Sequence, residues 1–238
     1  MDLLLFSGGD MRPYRERVLA EIQASLGDAT TLHFAPWALA QHDVYTARVQ
    51  EVFAPPGVTV IGLHRVADAR AALAEAQTLF VGGGNTFRLL KALHTLDLIE
   101  VVRQRVEAGA LRYIGASAGS NVACPSLRTT NDMPIVQPAS FTAFGLLPFQ
   151  INPHYVEGAS SPGGETRDTR IAEFLEENDV AVLGLREGSW LRRRGDRLLL
   201  DGVAGAKLFR RGHDPVELAP GADLSWLLTL TPRYDVGG

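Results

Sequence analysis

The stretch Arg112-Tyr-Ile-Gly-Ala-Ser-Ala-Gly-Ser120 constrains the fold of this chain more than any other. A short apolar run meets a tight turn and then a small-residue helix, with Gly115, Ser117 and Gly119 forming the pattern G-x-S-x-G. A strand that turns this sharply into a helix leaves no room for a Cβ on either flank of the serine, and the two glycines answer that need. The residue between them is held in a strained conformation with its side chain exposed above the end of the strand. Ser117 is therefore a candidate nucleophile, and the N–H of Ala118 faces the space where an oxyanion would form. Taken alone, five residues also fit a plain Gly/Ala/Ser-rich turn, so the rest of the chain has to decide.

The order of elements points the same way. Leu3 to Phe6, Thr31 to Phe34, Val58 to Leu63, Thr78 to Val81 and Leu111 to Ile114 are short apolar runs of strand type. Between them Val18, Leu19, Ile22 and Leu26 recur at helical spacing, and Tyr45 to Phe53 carries Val49, Val52 and Phe53 on one face. Ala67 to Ala76, Phe87 to Leu93 and Leu98 to Glu107 also read as helices. Strands alternating with helices predict an α/β fold: a mostly parallel sheet with helices on both faces and the elbow after a central strand. Sites in such sheets lie outside the carboxyl ends of the strands. The last third changes character. A charged amphipathic helix spans Glu165 to Glu177, and apolar runs follow at Val180 to Leu185, Trp190 to Arg192, Arg197 to Leu200 and Ala206 to Phe209. Turn signals at Gly195-Asp196, Asp201-Gly202 and Gly212-His213-Asp214 separate them and predict β-hairpins appended to the sheet. Gly163-Gly164 and the final Gly237-Gly238 read as punctuation and a frayed end. One domain over residues 1–238 is expected.

Composition excludes several classes. A chain of 238 residues buries roughly 70–75% of its unfolded surface and needs no staples. The net charge of -4 supplies no basic excess for nucleic acid. The dense basic run Arg192-Arg193-Arg194 precedes Gly195-Asp196 and is expected at the solvated end of a hairpin. Cys124 is the one cysteine, so no intramolecular disulfide framework exists. The N-terminal residues do not read as a signal peptide, and no apolar run is long enough for a membrane span. A soluble cytoplasmic protein is the expectation. The histidines and carboxylates lack H-E-x-x-H or similar spacing, so neither metal nor cofactor is expected.

A serine nucleophile needs a base. Of six histidines, five lie in or beside elements without a supporting motif. His154 differs: it follows a short apolar strand and a stiffening proline in Gln150-Ile-Asn-Pro-His154, a strand-end position like that of Ser117. Two carboxylates could orient it. Glu187 stands where an apolar strand ends at a glycine, in Gly184-Leu-Arg-Glu-Gly188, and could equally be a solvated turn carboxylate. Asp132 stands in a polar insert and could equally form an Asx-turn. The loop Val81-Gly-Gly-Gly-Asn-Thr-Phe87 lets backbone approach a ligand closely. A phosphate cradle fits it poorly, since Phe87 stands where a dinucleotide fingerprint needs a small residue and no G-K-[ST] follows. A second oxyanion donor at Gly84, with Asn85 or Thr86 capping the helix, fits better.

Together these residues resemble peptidase E, the α-aspartyl dipeptidases, whose fold is similar to that of class I glutamine amidotransferases with serine in place of cysteine. The resemblance rests on Val81–Phe87, Ile114–Gly119, Arg128-Thr-Thr-Asn-Asp-Met-Pro-Ile-Val136, Gln150–His154, Gly164-Glu-Thr-Arg167 with Arg170-Ile171, and Gly184–Gly188. It implies Ser117 as nucleophile, His154 as base, Glu187 as triad acid and Asp132 as a second acid. It also implies Gly84 and Ala118 as the oxyanion hole, with Arg167 holding the substrate aspartate and Asn85 beside it. The implied reaction is hydrolysis of Asp-X dipeptides by a metal-free cytoplasmic enzyme, with a homodimer plausible from the family. Ala116, Ser120 and Phe6-Ser7-Gly8-Gly9-Asp10 depart from the family pattern, and a wider pocket that accepts tripeptides is one reading of that. A cyanophycinase-like or β-aspartyl serine peptidase is the main rival. A non-enzymatic nucleotide-binding module built on Gly82-Gly83-Gly84 is the other, and it needs no elbow.

Overall fold

A computed structural model describes residues 1–158 and 164–237; Gly163 and Gly238, read above as punctuation and a frayed end, lie outside the described residues. The first half alternates strands with helices, with two helices between the fourth strand and the fifth. Strands β1 (Asp2–Phe6), β2 (Thr31–Ala35), β3 (Thr59–Gly62), β4 (Thr78–Val81) and β5 (Arg112–Ala116) are separated by α1 (Arg15–Leu26), α2 (His42–Phe53), α3 (Ala69–Glu75), α4 (Thr86–Thr95) and α5 (Leu98–Glu107). After β5 comes a one-turn helix, α6 (Ala118–Asn121), and a long irregular segment leads to β6 (Gln150–Pro153). Then follow α7 (Arg167–Glu177), β7 (Val182–Leu185), β8 (Ser189–Arg194), β9 (Arg197–Gly202), β10 (Ala206–Arg210) and β11 (His213–Leu218).

The main sheet has the order β3-β2-β4-β5-β1-β8-β9. Its first five strands are parallel, and β8 and β9 extend it antiparallel from β1. Period-two alternation sorts the core. Leu4, Phe6, Phe34, Phe80 and Ile114 face Val18 and Ile22 of α1 and Val49 of α2. On the other face Leu3, Leu5, Leu79, Val81 and Tyr113 meet Leu73 of α3, Leu89 and Leu93 of α4 and Val102 and Val106 of α5. The helices thus cover both faces, as their apolar spacing requires.

The C-terminal hairpins divide between two sheets. β8 and β9 join the main sheet, whereas β10 and β11 join β7 and β6 in a second sheet of order β11-β10-β7-β6. β6 and β7 are parallel neighbours in it. Phe149, Ile151, Leu183, Leu185 and Leu208 of this region belong to the same apolar cluster as Leu3 and Tyr113, so the two sheets share a core. Two sequence expectations change here. His213-Asp214 opens β11 rather than completing a turn; that strand is a largely exposed edge containing Pro215 and lacks an apolar run. The basic run is not wholly solvated either. Arg192 is buried and reaches Ser25 Oγ at 2.9 Å and Asp2 at 3.0 Å, because its register on β8 points it inward against β1 and α1.

Candidate active site

Ser117 stands between β5 and α6 with φ +54° and ψ −110°, a region that residues with a Cβ rarely enter. The local packing imposes it. A Cβ on Gly119 would lie 2.0 Å from the Val81 carbonyl oxygen, and one on Gly115 would lie 2.7 Å from that of Gly119. The turn is pinned as well: Ser117 N–H donates to Phe6 O at 3.1 Å, and Ser117 O accepts from the N–H groups of Ser120 and Asn121, both at 2.9 Å. The result presents Oγ above the sheet and leaves Ala118 N–H among the first-turn donors of α6, which have no partner within their own helix.

His154 and Glu187 come from the second sheet, at the ends of the adjacent strands β6 and β7. His154 too has a positive φ, +53°. Its Nε2 lies 2.7 Å from Ser117 Oγ and its Nδ1 lies 2.7 Å from Glu187 Oε1. The side chains of His154 and Glu187 are 34% and 48% exposed, so the chain of hydrogen bonds opens to solvent at the sheet edge. With Nδ1–H directed at the carboxylate, the Nε2 lone pair is placed to take the serine proton. Of the two candidate acids, Glu187 is the one bonded to His154.

Three residues of this site were not legible as such. Ser7, the first residue after β1, accepts from His154 N–H at 2.9 Å and donates to Leu185 O at 2.8 Å. It therefore joins the ends of β6 and β7 to the main sheet. Gly8 packs against Ser117 and His154, where an added Cβ would stand 3.0 Å from each. At Gly9 a Cβ would stand 2.2 Å from the Glu187 carboxyl carbon. The signal in the sequence is an apolar strand that ends in Ser7-Gly8-Gly9.

The Gly82-Gly83-Gly84 loop lies beside the nucleophile. Gly83 faces it, with a built Cβ 3.0 Å from Ser117 Cβ, while Gly84 turns its α-carbon toward Ala38 O at a φ of +133°. Asn85 is the N-cap of α4: its Oδ1 accepts from Arg88 N–H at 3.0 Å and its Nδ2 donates to Met133 O at 2.9 Å. Both ends of that amide are committed to the protein. Asp132 Oδ2 accepts from Thr86 N–H and from Thr86 Oγ1, each at 2.7 Å. The anion position at the start of α4 is thus filled by the chain's own carboxylate, where a phosphate cradle would need it vacant.

Arg167 is the first residue of α7, whose N-cap Thr166 accepts from Thr169 N–H at 3.0 Å. Burial draws its pKa down, neighbouring Arg170 adds to the fall, and Asp132 opposes it. Arg170 is paired with Glu165; among the described residues Arg167 has no salt bridge. Ser120 and Cys124 are spent elsewhere. Ser120 Oγ donates to Phe6 O at 2.6 Å, and Cys124 is fully buried, its thiol pushed up to about 12 by burial.

Comparison with known proteins gives the family. The model of peptidase family S51 matches residues 3–200. A Peptidase E of Streptomyces coelicolor is 54% identical over 241 residues, covering 100% of this chain and 99% of its own. A Drosophila melanogaster protein named "Probable alpha-aspartyl dipeptidase" is 46% identical over 233 residues, covering 95% of this chain and 97% of its own. A peptidase from an acI-B1 actinobacterium has a crystal structure similar at TM-score 0.62 and 17% identity, over 94% of this chain and 96% of that one, a likeness of fold. With the family model matching most of its length and relatives at this identity end to end, the chain belongs to peptidase family S51.

Proposed function

We propose that the protein is a serine dipeptidase that hydrolyses the bond after an N-terminal aspartate in short peptides. The observation that carries the reading is the hydrogen-bonded chain from Glu187 through His154 to Ser117 Oγ, each link 2.7 Å. The names of the Streptomyces and Drosophila relatives support the substrate class. His154 takes the proton of Ser117 as Oγ attacks the aspartyl carbonyl, and Glu187 holds the imidazole in the required tautomer. The N–H groups of Ala118 and Gly84 receive the oxyanion, a donor of this kind contributing about 3–4 kcal/mol. His154 then protonates the leaving amine, and water hydrolyses the aspartyl-enzyme. Arg167, which has no salt bridge among the described residues and feels the charge of Asp132, receives the substrate's side-chain carboxylate in a two-pronged contact that a lysine could not reproduce. Asp132 and Asn85 hold the start of α4 and the loop before it.

The test is hydrolysis of Asp-Leu by wild type, Ser117→Ala and Arg167→Lys, with Glu-Leu, Ala-Leu and β-linked Asp-Leu as controls. Turnover selective for α-linked Asp-Leu, abolished in Ser117→Ala and steeply reduced in Arg167→Lys, is expected. Preference for the β-linked peptide would move the assignment to a β-aspartyl or cyanophycinase-like activity.

A further inference from the structure

We propose that Tyr155, Asp168 and Lys207 are positioning residues that set selectivity for acidic substrates by fixing Arg167, an inference that rests on the reading of Arg167 given above. Each site residue contributed by the second sheet or α7 has a chain neighbour in one polar network. Tyr155 follows His154, Asp168 follows Arg167, and Arg186 precedes Glu187.

The Tyr155 hydroxyl donates to Asp168 Oδ1 at 2.6 Å. Lys207, from β10, donates to Asp168 Oδ2 at 3.1 Å and to Glu157 at 3.3 Å. Arg186 grips Glu217 with both nitrogens, at 2.8 and 3.1 Å, reaches Glu157 at 3.3 Å, and lies 5.5 Å over the Tyr155 ring. That ring is buried and wedged on β7, where a Cβ on Gly184 would stand 2.7 Å from it. Tyr155 N–H also donates to Leu185 O at 3.1 Å. The first turn of α7 is therefore tied by both oxygens of Asp168 to the second sheet: by Oδ1 to Tyr155, the residue after His154, and by Oδ2 to Lys207 of β10, which pairs with β7.

Two consequences follow for Arg167. The helix turn that carries its Cα is bonded to the triad's own sheet through Asp168, so the root of the Arg167 side chain is held relative to the sheet that supplies His154 and Glu187. The adjacent Asp168 carboxylate is held by Tyr155 and Lys207, which keeps it from swinging onto Arg167 in competition with an acidic substrate. Lys207 also sets a positive charge beside Asp168 and Glu157, limiting their repulsion of that substrate.

Tyr155→Phe removes one hydroxyl and leaves the ring. KM for Asp-Leu is expected to rise about tenfold with kcat changed by less than about threefold, the pattern of lost binding rather than lost chemistry. In an Arg167→Ala background the same substitution should change kcat/KM by less than about twofold, because its route of action is gone. A general packing role would produce equal losses in both backgrounds, and that result, or an unchanged KM in the single variant, overturns the proposal. Asp168→Asn serves as the second variant should Tyr155→Phe fail to fold, with the same expected split. Wild type inactive on Asp-Leu, or Arg167→Ala fully active on it, would instead remove the functional reading beneath the proposal and the proposal with it.

Discussion

Glu187 and Asp132 are both acids of the site region, yet their partners give them different work. Glu187 meets the imidazole; Asp132 meets the first N–H of α4 and the Thr86 hydroxyl. Glu187→Gln keeps the shape but offers an amide to Nδ1 and stabilises the wrong tautomer, so kcat should fall about 100-fold or more with the fold intact. Asp132→Ala removes a helix-terminal acceptor, so the urea midpoint should drop by an amount equivalent to about 1 kcal/mol while kcat stays within a few-fold. Steady-state kinetics and urea titration of the two variants separate these roles. Ser117, His154 and Glu187 were legible because each follows an apolar strand at a breaker residue. Ser7, Gly8 and Gly9 were not, because their meaning lies in partners far along the chain: Ser7 bonds residues 147 and 178 positions away. No local pattern encodes such a contact.

The elements were readable where burial writes a period into the sequence. α1, α2 and α5 and the five parallel strands matched their apolar spacing, with boundaries shifted by a residue or a few. β11 was hidden because an exposed edge strand has no apolar face to display. The division of the hairpins between two sheets was hidden because strand pairing is decided by the shared core, not by order along the chain. Arg192 departs from the solvated run around it: of three consecutive arginines, the β8 pleat turns this one inward. There the guanidinium bridges β8, β1 and α1 through Asp2 and Ser25, and burial lowers its pKa against the pull of Asp2. Removing Asp2 strands a buried charge, whereas replacing Arg192 by an apolar residue of similar length strands none. Asp2→Ala is therefore expected to destabilise by about 1–3 kcal/mol and Arg192→Met by less, measured as chemical-denaturation midpoints.

At the scale of the molecule, two sheets share one core and one catalytic edge. Their joint stability should respond to acid through two partly buried imidazoles. Burial lowers the pKa of His33, and burial followed by the charge of His64 lowers that of His42. The unfolded chain protonates both as pH falls below about 6.5 while the folded chain resists. Their contribution is thus fully present above about 6.5 and is lost as pH falls through the lower folded values. Tm should be flat near neutrality and decline on acidification, with a shallower decline in His33→Gln. The seam between the sheets carries a consequence of another kind. Ser117 belongs to the first half of the chain, and His154 and Glu187 to the second. During synthesis, which delivers the N-terminal part first, the serine emerges with no proton acceptor beside it. Bond-breaking power arrives only when the second half docks and Ser7 bridges the two sheets. An unfinished or truncated chain is a hydroxyl on a turn, harmless to the peptides around it.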